Sequence, residues 1–201
     1  MPMAGAFVIR RRRARATAAV RRCLAAVLLA GLSGIGAMSL AHADALARGT
    51  AAYSRGDYIR AARELTPLAQ RGNARALGLL GFLYEHGFGE PQIYSVAADL
   101  YTQGAVQGDS FSQAMLGLMY DKGHGVPLNF VLAYKWLNLA TAHASGSQRD
   151  AYARFRDAVA SKMSTNEIIE AQHRILSWTP TAPAPFLPGA PGAAHYEHHP
   201  E

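Results

Sequence analysis

Apolar side chains recur at helical spacing through the middle of the chain, and one stretch of this pattern is written twice. The segment LGFLYEHGFGEP, residues 80–91, returns as LGLMYDKGHGVP, residues 116–127, at an offset of 36 residues. A fixed period of this length is typical of stacked repeat units rather than of one globular core. The sequence therefore predicts an all-α fold, a short α/α solenoid of helix pairs.

Glycines at matched positions of the two copies indicate how each unit folds. Inside a helix, glycine costs about 1 kcal/mol relative to alanine, so Gly81 and Gly117 predict a neighbouring helix that crosses closely at that point. Two further glycines in each copy predict a tight turn with positive φ. The positions that match between the copies are Leu80/Leu116, Gly81/Gly117, Tyr84/Tyr120, Gly87/Gly123, Gly89/Gly125 and Pro91/Pro127.

The same spacing predicts the order of the helices. In each unit a helix A, about 74–86 and 110–122, precedes the turn, and a helix B, about 92–106 and 128–143, follows it. Asp57 and Asn129 are candidate N-caps, Ser147 would begin a helix to about 162, and Ser164 with Glu167 forms a capping-box signature for a last helix to about 176. The predicted domains are a leader (1–43), an N-terminal helix pair (44–73), two repeat units (74–109 and 110–145), two C-terminal capping helices (146–177) and a disordered proline-rich tail (178–201).

The first 43 residues have the order of a secretory signal. A basic segment precedes the apolar stretch CLAAVLLAGLSGIGAMSLA, and Ala41-His42-Ala43 stands before Asp44 as an A-x-A cleavage site. We predict cleavage near Ala43-Asp44 and a periplasmic or secreted protein. The alternative is an uncleaved membrane anchor, since about 20 uncharged residues can span a bilayer.

Charge and cysteine content exclude some functions for the body of the chain. The whole chain carries a formal charge of +6, but seven of its 20 basic residues precede Asp44, which leaves 13 basic and 14 acidic residues from Asp44 onward. This balance argues against nucleic-acid binding. Once the leader is removed we also expect no membrane association. Cys23 lies within the leader, so the remaining chain has no thiol for a disulfide or a nucleophile.

No residue pattern predicts an active site, a metal site or a cofactor. The chain lacks G-x-S-x-G, a glycine-rich phosphate loop and H-E-x-x-H. Glu85 and Asp121 recur at the repeat period, and we interpret them as solvated charges rather than as an acid–base pair. The histidines that would have to act as metal ligands are scattered or lie in the tail, and we predict no metal at them; they are His86, His124, His143, His195, His198 and His199.

The pattern A-x-x-x-L-G-x-x-Y-x-x-G-x-G-V-P, followed by A-x-K-W, resembles the Sel-one-like repeat (SLR), a relative of the tetratricopeptide repeat. Its carriers in the second copy are Leu116, Gly117, Tyr120, Gly123, Gly125, Val126, Pro127, Ala133, Lys135 and Trp136. The first copy departs from the pattern at Glu90 and Ile93. The resemblance implies an α/α solenoid without a cofactor, acting as a scaffold or adaptor.

We expect the A helices to form a concave wall that binds a protein, with an envelope or periplasmic protein as the partner. The six candidate contact residues are Leu79, Phe82, His86, Met115, Leu118 and Lys122. The resemblance leaves a cell-envelope hydrolase, acting on β-lactams or peptidoglycan, as one alternative. The other is a structural subunit that pairs with itself, although a monomer or weak oligomer is expected. The P-x-x-P run of the tail would either dock on a partner or stay disordered.

Overall fold

The structure of the protein is a computed structural model that describes residues 44–182. The helices of the described residues belong to the unit that extends from Ala45. The predicted leader and residues 183–201 of the predicted tail lie outside the described residues.

Eight helices and no strand occur within residues 44–182. The all-α solenoid of helix pairs predicted from the sequence is therefore confirmed. The helices are α1 (44–54), α2 (Tyr58–Ala69), α3 (Ala74–His86), α4 (Tyr94–Val106), α5 (Ser110–Lys122), α6 (Phe130–His143), α7 (Gly146–Ala160) and α8 (Thr165–Leu176).

Side-chain caps define most of the helix starts. Asp57 and Asn129 accept hydrogen bonds from the backbone N–H groups two residues inside α2 and α6, as predicted. At α8, Ser164 and Glu167 form the predicted capping box. Each of these side chains satisfies an N–H group that the first turn of a helix leaves without a partner.

Three predicted helix starts are wrong by one or two residues. The B helices begin at Tyr94 and Phe130, because the backbone of the preceding residue is held by the end of helix A; the Ile93 N–H, for example, donates to the Tyr84 carbonyl at 3.0 Å. Helix α7 begins at Gly146, with Ser145 rather than Ser147 at the N-cap. A φ of 55° at Gly146, which glycine tolerates, turns the chain into α7 at that point.

The core consists of three clusters along the stack, and each joins consecutive helices. The first is built mainly from α2 and α3, the second from α4, α5 and α6, and the third from α5, α6 and α7. This succession of local cores is what a repeat architecture predicts, since each unit buries its apolar face only against its neighbours.

The glycines inside the A helices lie at helix crossings, as predicted. A Cβ atom on Gly81 would lie 3.0 Å from the Tyr101 ring, and a Cβ atom on Gly117 would lie 2.8 Å from Cγ of Leu137. Tyr101 and Leu137 are themselves one repeat period apart. The same close packing of helix A on helix B therefore occurs in both units, and it leaves no room for a side chain at the glycine.

The second glycine of each turn has two reasons to be glycine. Gly89 and Gly125 have φ values of 73° and 70°. A Cβ atom on Gly89 would lie 2.8 Å from the backbone of Tyr58, and one on Gly125 would overlap the carbonyl group of Tyr94. Each turn thus rests on the first residue of helix B in the preceding pair. Because Tyr58 and Tyr94 are 36 residues apart, α1 and α2 occupy the place of a preceding repeat.

The segment after α8 does not begin as a free tail at Trp178, so that part of the prediction is wrong. The Trp178 ring lies 6.4 Å from the Trp136 ring and 5.5 Å from the His143 ring, measured between centroids. The Thr181 N–H donates to the carbonyl oxygen of Val106 at 2.8 Å. The Trp178 ring packs against the second core cluster, and the Thr181 N–H bonds to the last residue of α4. These two contacts attach residues 178–181 to the end of α4. We call these four residues the C-terminal strap.

We expect Gly125→Ala to destabilise the protein more than Gly56→Ala. Gly56 also has a positive φ, 77°, but nothing lies within 4 Å of its Cβ position. The Gly56 variant should lose about 1 kcal/mol of unfolding free energy through backbone strain, and the Gly125 variant about 1–3 kcal/mol more through steric overlap. Urea denaturation of the two variants measures the difference, and equal losses would contradict a close approach between turn and preceding helix.

We expect Trp178→Ala to lower the unfolding free energy by about 2 kcal/mol, less than for a fully buried tryptophan, because its ring is half-buried on the second core cluster. Leu176→Ala is the matched control, since Leu176 is 84% exposed and should change stability by less than about 0.5 kcal/mol. Urea denaturation of both variants tests this, and a Trp178 variant as stable as the control would show that the strap is not attached.

Candidate functional site

The A helices form one layer of the stack, and this layer carries a group of aromatic rings. Helix α3 contacts α5, and α5 contacts α7, as expected for the inner layer of a curved array of helix pairs. The rings lie on α1, at the start of α2, on α3 and its turn, and at the start of α5. We call this group the aromatic patch; its members are Tyr53, Tyr58, Phe82, His86, Phe88 and Phe111.

Phe82 is the centre of the aromatic patch. Its ring stacks on His86 with centroids 4.0 Å apart, and it meets the Tyr53 ring edge-on at 5.4 Å. Phe88 and Phe111 lie at 6.2 and 6.3 Å. Most of these centroid distances lie in the range in which an aromatic pair contributes more stability than its buried area alone would give. The patch is thus ordered by its own contacts before any ligand arrives.

The helix geometry explains why these side chains converge. Phe82 and His86 are four residues apart on α3, so they lie on one face of that helix. The His86 ring also hydrogen-bonds through Nδ1 to the carbonyl oxygen of Phe82 at 3.1 Å, which fixes its stacked orientation. Tyr53 reaches the same face from α1, because α1 occupies the position of an A helix in the preceding pair.

The outer part of the patch is formed by the glycine turn. Phe88 stands between Gly87 and Gly89 and stacks on Tyr58 with centroids 4.6 Å apart and planes 11° apart. One repeat later, His124 and Tyr94 make the equivalent pair at 5.0 Å. The turn therefore presents a ring above the start of the preceding B helix in both units. Phe88 remains 37% exposed, so the first pair offers apolar surface to solvent.

A guanidinium group lies at the Phe111 edge of the patch. The Arg75 side chain stands over the Phe111 ring at 5.2 Å and lies 3.9 Å from the Asp109 carboxylate. Burial raises the pKa of Tyr53 above its ordinary value, with Tyr58 adding to this rise and the positive charge of Arg75 opposing it. The tyrosine is therefore a neutral hydrogen-bonding group at physiological pH, and the patch is apolar with a cationic edge.

The structure brings together only part of the predicted contact set. Phe82 and His86 lie in the aromatic patch, and Met115 is half-buried against the same core cluster as Phe82. The prediction is wrong for Leu79, which is 2% exposed. Leu79 belongs to the first core cluster, together with residues of α1 and α2. The preceding helix pair therefore covers a face of α3 that we had expected to be exposed.

The two remaining predicted residues lie further along α5. Leu118 is half-buried and packs against the third core cluster, on the side of α7. Lys122 is exposed in the last turn of α5.

The contact residues predicted from the sequence did not include five members or neighbours of the patch: Tyr53, Tyr58, Arg75, Phe88 and Phe111. Phe88 occupies the variable position between the two turn glycines, where the second copy has His124. The sequence did contain a pattern that points to these residues. Aromatic residues occupy position 58 and position 88, which pair in the structure, and also the equivalent positions 94 and 124. Recognising it required knowing that each turn rests on the preceding B helix.

The residues considered for chemistry have structural partners. The Tyr101 hydroxyl donates to Oε2 of Glu85 at 2.8 Å, and burial raises the pKa of Tyr101 far above its ordinary value. Asp121 forms an ion pair with Lys162 at 2.7 Å. His143 Nδ1 lies 3.0 Å from the side-chain oxygen of Gln113. These contacts tie helices to one another.

Two further observations concern residues 44–182 only. No group of three or more histidine, cysteine, aspartate or glutamate side chains there is placed to hold a metal ion. None of the helices in that part of the chain combines the length and the apolar character needed to cross a lipid bilayer.

Comparison with solved structures shows what the fold resembles. A protective antigen of uropathogenic Escherichia coli that displays an SLR fold is similar with a TM-score of 0.62 and 21% sequence identity. The alignment covers 68% of this chain but only 29% of that protein, so the chain spans less than a third of its length. A Sel1 repeat protein from Oxalobacter formigenes is 33% identical, with 47% of this chain and 71% of that chain covered and a TM-score of 0.43. No curated protein matches the chain.

The repeats themselves provide the family assignment. The Sel1 repeat profile matches residues 74–109 and again residues 110–145, which are the α3–α4 and α5–α6 helix pairs together with the connections that follow them. The matched glycines described above, and Tyr84 with Tyr120, lie within these two repeats. With two Sel1 repeats in an SLR-type helical stack, the chain belongs to the Sel1-like repeat family.

Proposed function

We propose that this protein is an exported adaptor or regulator that binds a protein of the cell envelope through its aromatic patch. Sel1 repeats generally mediate protein–protein interaction, and their fold is typically a non-catalytic scaffold. The observation that carries the proposal is the concentration of six aromatic rings, several of them solvent-accessible, on α1, the start of α2, α3 with its turn, and the start of α5.

Both the composition and the rigidity of the patch suit it to binding a protein. Aromatic residues and arginine are enriched where protein interfaces gain most of their free energy. The rings already contact one another, so little side-chain entropy remains to be lost when a partner binds. Arg75 is near one edge, where its guanidinium can donate hydrogen bonds to a carboxylate or a backbone carbonyl of a partner without being buried in the centre.

Export is supported by the order of features in the leader: seven arginines, an uncharged apolar stretch, and an A-x-A site before Asp44. An exported location would put the patch among periplasmic or secreted proteins and the periplasmic parts of membrane proteins. The chain from Asp44 onward contains no cysteine, so its folding is indifferent to the redox state of that compartment.

We expect the double variant His86→Glu, Phe88→Ser to lose the binding partner while remaining folded, because both side chains are exposed and neither belongs to a core cluster. The measurement is affinity purification from envelope extracts with quantitative mass spectrometry. A partner recovered with the wild-type chain should fall at least about tenfold, which corresponds to about 1.4 kcal/mol.

The matched control is Leu176→Ser, which removes an exposed apolar side chain from α8. It should retain the partner at wild-type level. Equal recovery with the patch variant and the wild type, at equal thermal stability, would show that the patch is not the binding surface.

We expect the protein recovered from the periplasm or culture medium to begin at Asp44. Intact-mass measurement after cell fractionation tests this directly. A chain that retains residues 1–43 and sediments with the membrane would instead establish the leader as an anchor, and Ala43→Leu, which blocks an A-x-A site, serves as the uncleaved reference.

A further inference from the structure

Arg75 stands at the Phe111 edge of the aromatic patch in a position to donate hydrogen bonds to a ligand. Its guanidinium carbon lies 5.2 Å from the centroid of the Phe111 ring, and one of its nitrogens lies 3.9 Å from Oδ1 of Asp109. The second distance is too long for a hydrogen bond, and the guanidinium makes none within residues 44–182. The Arg75 side chain is 41% exposed, so its fork of N–H donors is open to an incoming acceptor.

Asp109 orients the guanidinium by charge but is itself held in another role. As the N-cap of α5, its Oδ2 accepts hydrogen bonds from the backbone N–H and the hydroxyl group of Ser112, at 2.8 and 2.7 Å. The carboxylate cannot turn toward Arg75 without giving up this cap. The ion pair therefore fixes the place of the guanidinium and leaves its donors unsaturated.

The position of Arg75 in the stack puts its charge on the same layer as the rings. Arg75 and Phe111 are one repeat period apart, and each is the second residue of its A helix. Burial raises the pKa of Tyr152 on α7, and the positive charge of Arg75 opposes this rise, as it does for Tyr53 on α1. The charge of the guanidinium thus acts on tyrosines of the A helices on either side.

The charges of α3 and α5 favour an acidic ligand. The acidic side chains of these two helices, Glu85 and Asp121, are engaged by the Tyr101 hydroxyl group and by Lys162. Their basic side chains, Arg75 and Lys122, reach solvent. A negatively charged group that approaches this layer therefore meets accessible positive charge.

The surroundings of Arg75 also select the kind of acidic group. Sites for a C-terminal carboxylate use clusters of backbone N–H groups, but the starts of α3 and α5 are occupied by the side-chain caps Asn73 and Asp109. Phosphate groups are met by clusters of arginines, whereas Arg75 already has the carboxylate of Asp109 beside it. A guanidinium balanced in this way suits the singly charged side chain of an aspartate or glutamate.

The apolar part of the ligand has its place next to the guanidinium. The Phe82 ring lies 6.3 Å from the Phe111 ring, and the Phe88 ring lies 6.2 Å from Phe82. One or two such steps correspond to about four residues of an extended chain or fewer. A carboxylate at Arg75 and an apolar side chain on Phe82 or Phe88 can therefore belong to one short segment.

We propose that Arg75 and the aromatic patch together recognise a short segment of the partner in which an aspartate or glutamate stands close to an aromatic or aliphatic side chain. The carboxylate accepts hydrogen bonds from the guanidinium, and the apolar side chain packs on Phe82 and Phe88. The inference rests on the proposed function, because it specifies the chemistry of the partner that the patch binds.

Selection from a random peptide library tests this recognition. Short random peptides are displayed on phage and joined to the coat protein through their C-termini, so that no terminal carboxylate is present. They are selected on the protein purified from cells that express the full chain. Peptides enriched on the wild type over the His86→Ser, Phe88→Ser variant should carry Asp or Glu within about four residues of an apolar side chain. On Arg75→Glu they should carry Lys or Arg there instead, because the charge is reversed.

The most enriched peptide then allows the contact itself to be measured. It is synthesised with an N-terminal fluorescein and an amidated C-terminus, once unchanged and once with its acidic residue replaced by the matching amide, and both forms are titrated by fluorescence anisotropy. The wild type should bind the acidic form at least about fivefold more tightly. Arg75→Gln should bind both forms alike. Arg174→Gln removes a positive charge from α8; it is the matched control and should keep the preference.

Asp109→Asn gives a result that a purely structural role of Arg75 would not produce. Asparagine preserves the N-cap and removes the negative charge beside the guanidinium. This variant should bind the acidic peptide about two- to fivefold more tightly than the wild type does, with no change for the amide form. An unchanged affinity for the acidic form would contradict recognition by Arg75.

The remaining outcomes separate the inference from the proposed function. Equal affinity of the wild type for both peptide forms would overturn the inference, and so would an acidic preference that survives Arg75→Gln. A library without any peptide specific for the wild type would refute recognition of a short segment. If the amide form regains full affinity when its C-terminus is a free carboxylate, the side-chain assignment fails. Apolar peptides that require Phe88 but show no acidic preference would overturn this inference and leave the proposed function standing.

Discussion

The architecture depends on close packing at four glycines. Gly81 and Gly117 let each helix A lie directly against its helix B, while Gly89 and Gly125 let each turn rest on the start of the preceding B helix. The first contact sets the geometry within a pair, and the second sets the register between pairs. Because solenoid units bury their apolar faces only against neighbours, these two contacts together decide how the three core clusters line up.

That register has a direct consequence for the surface. Resting the turn on the preceding B helix places the side chain between the two turn glycines next to the first residue of that helix. In one unit this pair is Phe88 with Tyr58, and in the next it is His124 with Tyr94. The exposed aromatic patch is therefore a product of the same contacts that stabilise the stack, with Phe82 and Tyr53 joining it from the A helices.

Much of this could be read from the sequence, and the failures have physical causes. The repeated glycines and caps predicted helix identity, the crossing at Gly117 and the capping box at Ser164, because these are local requirements of the backbone. Leu79 was misplaced because its burial comes from the preceding pair, whose repeat pattern is degenerate. Trp178 was misplaced because proline-rich composition says nothing about a single anchoring ring that finds Trp136 in the folded stack.

The central claim is that the aromatic patch is where a partner protein binds. Site-specific photo-cross-linking in living cells tests it most directly, with a photoreactive phenylalanine analogue placed at Phe88 in one strain and at Leu176 in another, followed by mass spectrometry of the adducts. The account predicts a discrete protein adduct from position 88 that is absent from position 176. Adducts that form only from position 176, or the same adducts from both positions, would contradict it.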